Sequence, residues 1–319
     1  ADEVARLLAL QPLSALARSE AGETAAHVAA REGQAAVLEI LLGNGTAAGG
    51  ADPCARTHPD LRTPLLVAVY GGHRAAVAVL LARTEALHAQ DASGASALHA
   101  AIACGEADIA EMVLAAAVAE GEEAVRTAVA SRTWAGAIPL HAAALQGAAE
   151  VVTTLVDAAA GVDGALVEEM LAGRTKGGAT ALMLAVLAGS THAVDVLLTA
   201  GSDKMVAMRA KESGANALHF AAVCGDATIF AALLRRAPGL ASSYSRHGLT
   251  PVHVAAAHGH HQLVAVLVDE LDGDELATVL AQVTVARSGV GNVEPGLTPE
   301  DVARLFGKEQ VIRALDEAA

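Results

Sequence analysis

Thirteen histidines are the first residues in this chain that could do chemistry. Imidazole titrates near neutral pH, shuttles protons and ligates metals. Their placement favours none of these uses. His27, His99, His141, His219 and His253 all occupy one recurring position, which fits a structural role of bonding the backbone of a neighbouring loop. His258, His260 and His261 lie closer together, but Gly259 breaks the helix between them. No Cys, Asp or Glu stands beside them at the spacing a tetrahedral zinc site wants, so metal there would be adventitious. Gly-x-Ser-x-Gly, His-Glu-x-x-His and Cys-x-x-Cys are absent from the sequence. The glycines between 43 and 50 lack the Lys-Ser/Thr ending of a phosphate loop. The acidic run Asp269, Glu270, Asp272, Asp274 and Glu275 lacks calcium-loop spacing and reads as a solvated face. The sequence therefore predicts no catalytic residue, no metal ligand, no cofactor and no enzyme.

Composition narrows the partners. With 21 basic and 36 acidic residues the net charge is −15, which disfavours nucleic acid and permits a basic protein partner. A small basic set, Lys204, Arg209, Lys211, Arg235, Arg236 and Arg246, is either solvated or meets an acidic partner. Three cysteines without a Cys-x-x-Cys pair suggest a reducing compartment, cytoplasmic or nuclear. No secretory leader and no membrane span is expected; the most apolar run, 179–198, is interrupted by Ser190, Thr191, His192 and Asp195. The acidic start without Met suggests either a trimmed chain or a domain excised from a longer protein.

The elements that must position these residues are clearest between Gly248 and Val268. Thr250 is a good N-cap, because its hydroxyl can accept from an otherwise unpaired backbone N–H. Pro251 follows where its fixed φ helps the first turn. Ala255 and Ala256 let a neighbouring helix lie close. Gly259 ends the helix, and Leu263, Val264, Leu267 and Val268 give the next helix an apolar stripe. Such a hairpin cannot bury its apolar face alone and needs neighbours.

The pattern recurs, with Thr-equivalent positions at 24, 63, 96, 138, 180, 216, 250 and 298. Copies include Thr24-Ala-Ala-His27 with Gly33, Thr63-Pro-Leu-Leu66 with Gly72, Ser96-Ala-Leu-His99 with Gly105, and Ile138-Pro-Leu-His141 with Gly147. Thr180-Ala-Leu-Met183 with Gly189, Asn216-Ala-Leu-His219 with Gly225, and Thr298-Pro-Glu-Asp301 with Gly307 complete the set. These residues resemble the ankyrin repeat, with its Gly-x-Thr-Pro-Leu-His-x-Ala-Ala signature. The resemblance implies an all-α repeat solenoid of stacked helix–turn–helix units, with β-hairpin-like loops at right angles to the helices. It divides the chain into an N-terminal capping helix (1–21), seven repeats (22–59, 60–93, 94–135, 136–177, 178–213, 214–247 and 248–295) and a C-terminal capping repeat (296–319).

Departures from the pattern carry their own expectations. Ile138 lacks a capping hydroxyl, and Leu66 and Met183 replace the histidine, so those repeats should start less rigidly. Glu300 and Asp301 give the last copy a polar outer face. Extra residues fall after second helices, and the segments beginning at Gly121, Gly164 and Gly273 each suit a short third helix, either a decorated edge or a further interaction surface. Residues 42–53 read as a flexible loop.

The resemblance implies a monomeric, non-enzymatic protein–protein interaction scaffold that holds its partner on a concave face. The alternative is a regulatory or targeting module of a larger kinase, ubiquitin ligase or channel. The concave positions are Arg31, Glu32, Tyr70, Trp134, Leu145, Gln146, Leu187, Val223, His258, Leu305 and Phe306, with Cys104 and Cys224 beside them. Trp134 is either a binding anchor or a plug under the long insertion, and the apolar line is either free or covered by an insertion.

Overall fold

The computed structural model describes residues 17–43, 51–83, 87–285 and 294–318. The expected capping helix falls mostly on residues 1–16 and the flexible loop mostly on 44–50, both outside the described residues. Among the described residues there are twenty α-helices, no strand and one isolated bridge, Gln90 to Ser96.

The chain forms two compact units, Ala1–Met170 and Leu171–Ala319. In the first, α1 (Ala25–Arg31) pairs with α2 (Ala35–Leu42), and α3 (Pro64–Tyr70) with α4 (Arg74–Leu81). Next come α5 (Ala97–Ala103) with α6 (Ala107–Glu120) and an added α7 (Glu122–Ala130), then α8 (Pro139–Gln146) with α9 (Ala149–Ala160). First helices pack on first helices, α1 on α3 on α5 on α8, and second helices on second, α2 on α4 on α6 on α9. Helix α10 (Gly164–Leu171) spans the sequence boundary of the units.

The second unit repeats the scheme. Helix α11 (Ala181–Leu187) pairs with α12 (Thr191–Ala200), followed by the one-turn α13 (Asp203–Val206). Helix α14 (Ala217–Cys224) pairs with α15 (Ala227–Arg236), and a 3-10 turn follows at Pro238–Leu240. Then come α16 (Pro251–His258), α17 (Gln262–Glu270) and α18 (Gly273–Leu280), and finally α19 (Pro299–Leu305) with α20 (Glu309–Ala318). Here α11, α14, α16 and α19 pack in series, as do α12, α15, α17 and α20.

Small residues set this spacing. Ala68, Ala101, Ala143, Ala185 and Ala221 are fully buried on the first helices, where a larger side chain would hold neighbours apart. Second helices bring Leu38, Leu80, Ile109, Leu155, Leu197 and Leu233 to the interior. Phe230 on α15 is the bulkiest fully buried side chain. At the C-terminal end, Val302, Ala303, Val311 and Leu315 close over Leu249, Ala256 and Val264, so the last copy covers the one before it.

The three expected third helices are α7, α10 and α18. Each buries an apolar edge, Val125 and Val129 on α7, Leu166 and Met170 on α10, Leu276 and Val279 on α18. They pack on the stacks, and Leu145, Leu187, Val223 and Leu305 on the first helices remain exposed.

Candidate functional site

The loop before each first helix is closed by one hydrogen-bond pattern. In the sixth, Ala210 N–H donates to Ala215 O at 2.8 Å and Gly214 N–H to Ala210 O at 2.9 Å. The same closure recurs at Ser19, Thr57, Asp91, Thr133, Thr175, Ser245 and Thr284. At those seven positions the side-chain oxygen also accepts from the backbone N–H of the residue whose carbonyl closes the hairpin, at 3.0 to 3.3 Å. Sequence reasoning missed this set. Its signal was present, since five of the seven stand three residues before the hairpin glycine: Gly22, Gly94, Gly136, Gly178 and Gly248.

Successive hairpins then bond tip to tip. Ala92 N–H donates to Asp60 O at 2.8 Å, Trp134 N–H to Ser93 O at 2.9 Å, and Arg246 N–H to Ser213 O at 2.8 Å. The approach is close enough to require glycine. Gly178 has φ +80°, and a Cβ there would lie 2.3 Å from the backbone N of Lys211.

The recurring histidines lock each helix start to the following hairpin. His27 Nδ1 accepts from Thr24 N–H at 3.1 Å, while Nε2–H donates to Arg62 O at 3.0 Å. His99 bonds Ser96 N–H and Ala137 O, His219 bonds Asn216 N–H and Leu249 O, and His253 bonds Thr250 N–H and Leu297 O. A ring that accepts at Nδ1 and donates at Nε2 is neutral. Burial holds His27, His99 and His253 below the ordinary histidine range and pushes His219 down to about 4. These side chains are therefore spent on the fold.

The irregular copies keep part of this arrangement. Ile138 has no oxygen to offer, yet its N–H still donates to His141 Nδ1 at 3.2 Å. Where Leu66 and Met183 replace histidine, Thr63 and Thr180 still cap their helices at 3.4 Å, and the apolar side chains are fully buried. What these two copies lack is the bridge to the next hairpin. Asp301 keeps its side chain partly in solvent and also caps its helix. Its Oδ2 accepts from Thr298 N–H at 3.0 Å and from the Thr298 hydroxyl at 2.8 Å, the place a histidine takes elsewhere.

First helices and hairpins together form one face of each unit. On the first unit it carries Trp134, 69% exposed, and Leu145, 58% exposed, with Arg31, Glu32, Gln146 and Cys104 also open to solvent. Trp134 is no plug. Its ring stands in solvent while Nε1–H donates to Ala92 O at 2.6 Å. Tyr70 is half-buried: Arg62 lies 4.4 Å over its ring and its hydroxyl donates to Asp91 at 2.8 Å. Burial, then that bond, pushes its pKa up to about 12.

On the second unit Leu187, Val223, Cys224, His258 and Leu305 are exposed. His258 stacks on His260 with centroids 6.0 Å apart. Phe306 packs half-buried against the C-terminal core. Five of the ten large apolar side chains exposed among the described residues stand on first helices: Val28, Leu145, Leu187, Val223 and Leu305. Trp134, Val283 and Val285 lie in hairpin segments, which leaves only Val118 and Val268 for second helices. Between α14, α16 and their hairpins this face of the second unit sinks into a groove of about 190 Å³.

Ankyrin-repeat family models match residues 27–120, 114–209, 140–242 and 205–281, a run that covers most of the chain. The chain belongs to the ankyrin repeat family. Ankyrin repeats are in general non-enzymatic modules that mediate protein–protein interaction. The pair α19 and α20 lies beyond the matched residues but packs on α16 and α17 as a further repeat would. No curated protein matches the chain. No described helix is long and apolar enough to cross a membrane.

Proposed function

We propose that this ankyrin array is a non-enzymatic scaffold that holds a protein partner on its first-helix and hairpin face, the concave face of the family's architecture. The supporting observation is the distribution of exposed apolar side chains, eight of ten on first helices or hairpin segments among the described residues. Water-exposed Leu and Trp gain free energy when a partner covers them, at roughly 25 cal/mol per Å². Aromatic anchors such as Trp134 concentrate that gain. The first unit holds 21 acidic and 9 basic residues, so a partner bound there is basic.

The experiment is Trp134→Ala and Leu145→Glu in the full chain, with helical circular dichroism and affinity capture from the native cell. Both residues are exposed, so the fold stays intact and capture is lost. Full capture by both folded variants overturns the assignment of this face.

A further inference from the structure

We propose that the groove of the second unit receives an acidic peptide segment carrying one bulky apolar side chain. This rests on the docking reading above and gives that reading a ligand chemistry. The groove has apolar walls from Phe220 and Val223 on α14, Val254 and Ala257 on α16, and Leu249 at the hairpin base. Its volume, about 190 Å³, is below the roughly 300–1,000 Å³ of pockets that enclose small-molecule ligands. It suits one Leu, Met or Phe side chain presented by a chain lying across it.

The rim supplies the sign of charge. Ser213, Ser245 and His247 line the groove from the two hairpins. Arg246 stands between two of these lining residues, and Lys211 and Arg209 lie two and four positions before Ser213. All three cations are exposed, and among the described residues none has a carboxylate within ion-pair distance. Three arginines on helices of the same unit are already paired, Arg235 with Glu270, Arg236 with Asp203 and Arg304 with Glu300. Only Glu212 opposes the charge on these two tips.

Hydrogen bonds tie together the two hairpins that carry these cations. Arg246 N–H donates to Ser213 O at 2.8 Å, and Arg209 Nη1 donates to Tyr244 O at 3.0 Å. The whole-chain charge of −15 does not decide the contact. The second unit holds 15 acidic and 12 basic residues, and charges beyond about 10 Å are screened at moderate salt. The charges that flank the groove's hairpin residues are positive apart from Glu212, and Lys211 and Arg246 have no side-chain hydrogen bond among the described residues.

The test is fluorescence anisotropy of the full chain with labelled synthetic peptides. The probe has one Phe flanked by glutamates; one control replaces Phe with Ser and another replaces the glutamates with lysines. The expected result is saturable binding of the probe alone, weakened by salt. Lys211→Glu and Arg246→Glu each turn an attraction into a repulsion and weaken binding about tenfold. Val223→Asp places a charge in the groove and removes binding, while helical circular dichroism is unchanged because Val223 is exposed. The Ser peptide makes the same point without any change to the protein.

Equal binding of the lysine peptide, with Val223→Asp still blocking it, overturns the acidic ligand and leaves the docking face standing. Unchanged affinity in Lys211→Glu and Arg246→Glu has the same meaning. Displacement of the probe by an RNA oligonucleotide or by anionic vesicles, lost on the same reversals, replaces the peptide with that class of ligand. If no peptide binds and Val223→Asp and Leu145→Glu both retain partner capture, the inference and the docking reading fall together.

Discussion

Acidification should unlatch the repeats by forcing buried, neutral histidines to charge. His219 is 3% exposed and is held neutral down to about 4, against an ordinary value of 6.5. Burial is the main cause, and the nearby Arg209 charge adds to it. The carbonyl of Leu249 pulls the other way, and burial outweighs it. Above pH 6.5 the ring is neutral in both folded and unfolded chains, so its stabilisation is complete. As pH falls from 6.5 towards 4, the unfolded chain takes up a proton that the folded chain refuses, and stability is lost. By pH 5 this one residue costs on the order of 2 kcal/mol. His27, His99 and His253 are shifted in the same direction and add to the loss. The assay is urea denaturation followed by helical circular dichroism at pH 7, 6 and 5. The wild-type midpoint falls steadily, and His219→Gln, which has no titrating ring, falls less steeply. A flat midpoint from pH 7 to 5, or an identical slope in His219→Gln, refutes the neutral-latch account.

Three further outcomes follow from packing. Gly178→Ala combines a positive φ with a Cβ driven into the Lys211 backbone. It lowers stability by more than about 1 kcal/mol, read as a drop in the urea midpoint. Phe230→Ala opens a cavity at a fully buried site in α15 and costs about 3–5 kcal/mol by the same assay. Asp301→Ala removes the acceptor for Thr298 N–H and costs about 1 kcal/mol, read as faster hydrogen exchange in α19.

Much of this architecture was readable because its determinants are local. Thr250, Pro251 and Gly259 specify one helix within ten residues, and each does so by its own backbone chemistry. The third helices at Glu122, Gly164 and Gly273 were readable for the same reason. The remainder depends on partners distant in sequence. Tyr70 is half-buried because Asp91 stands 21 residues on, and Phe306 because the C-terminal core closes behind it. Thr284 closes its hairpin on Leu297 across 13 residues, so no short window contains the motif. The groove was hidden because Phe220, Val223, Val254 and Ala257 come from two repeats and read separately as ordinary helix positions.

The proposed seat of the partner is the first-helix and hairpin face. A photo-reactive phenylalanine analogue placed singly at Leu145, Leu187, Val118 or Val268 tests it most directly, since all four positions are exposed. Cross-links to the partner from Leu145 or Leu187, with none from Val118 or Val268 on the second helices, are the predicted result. Cross-links confined to Val118 and Val268 would contradict it.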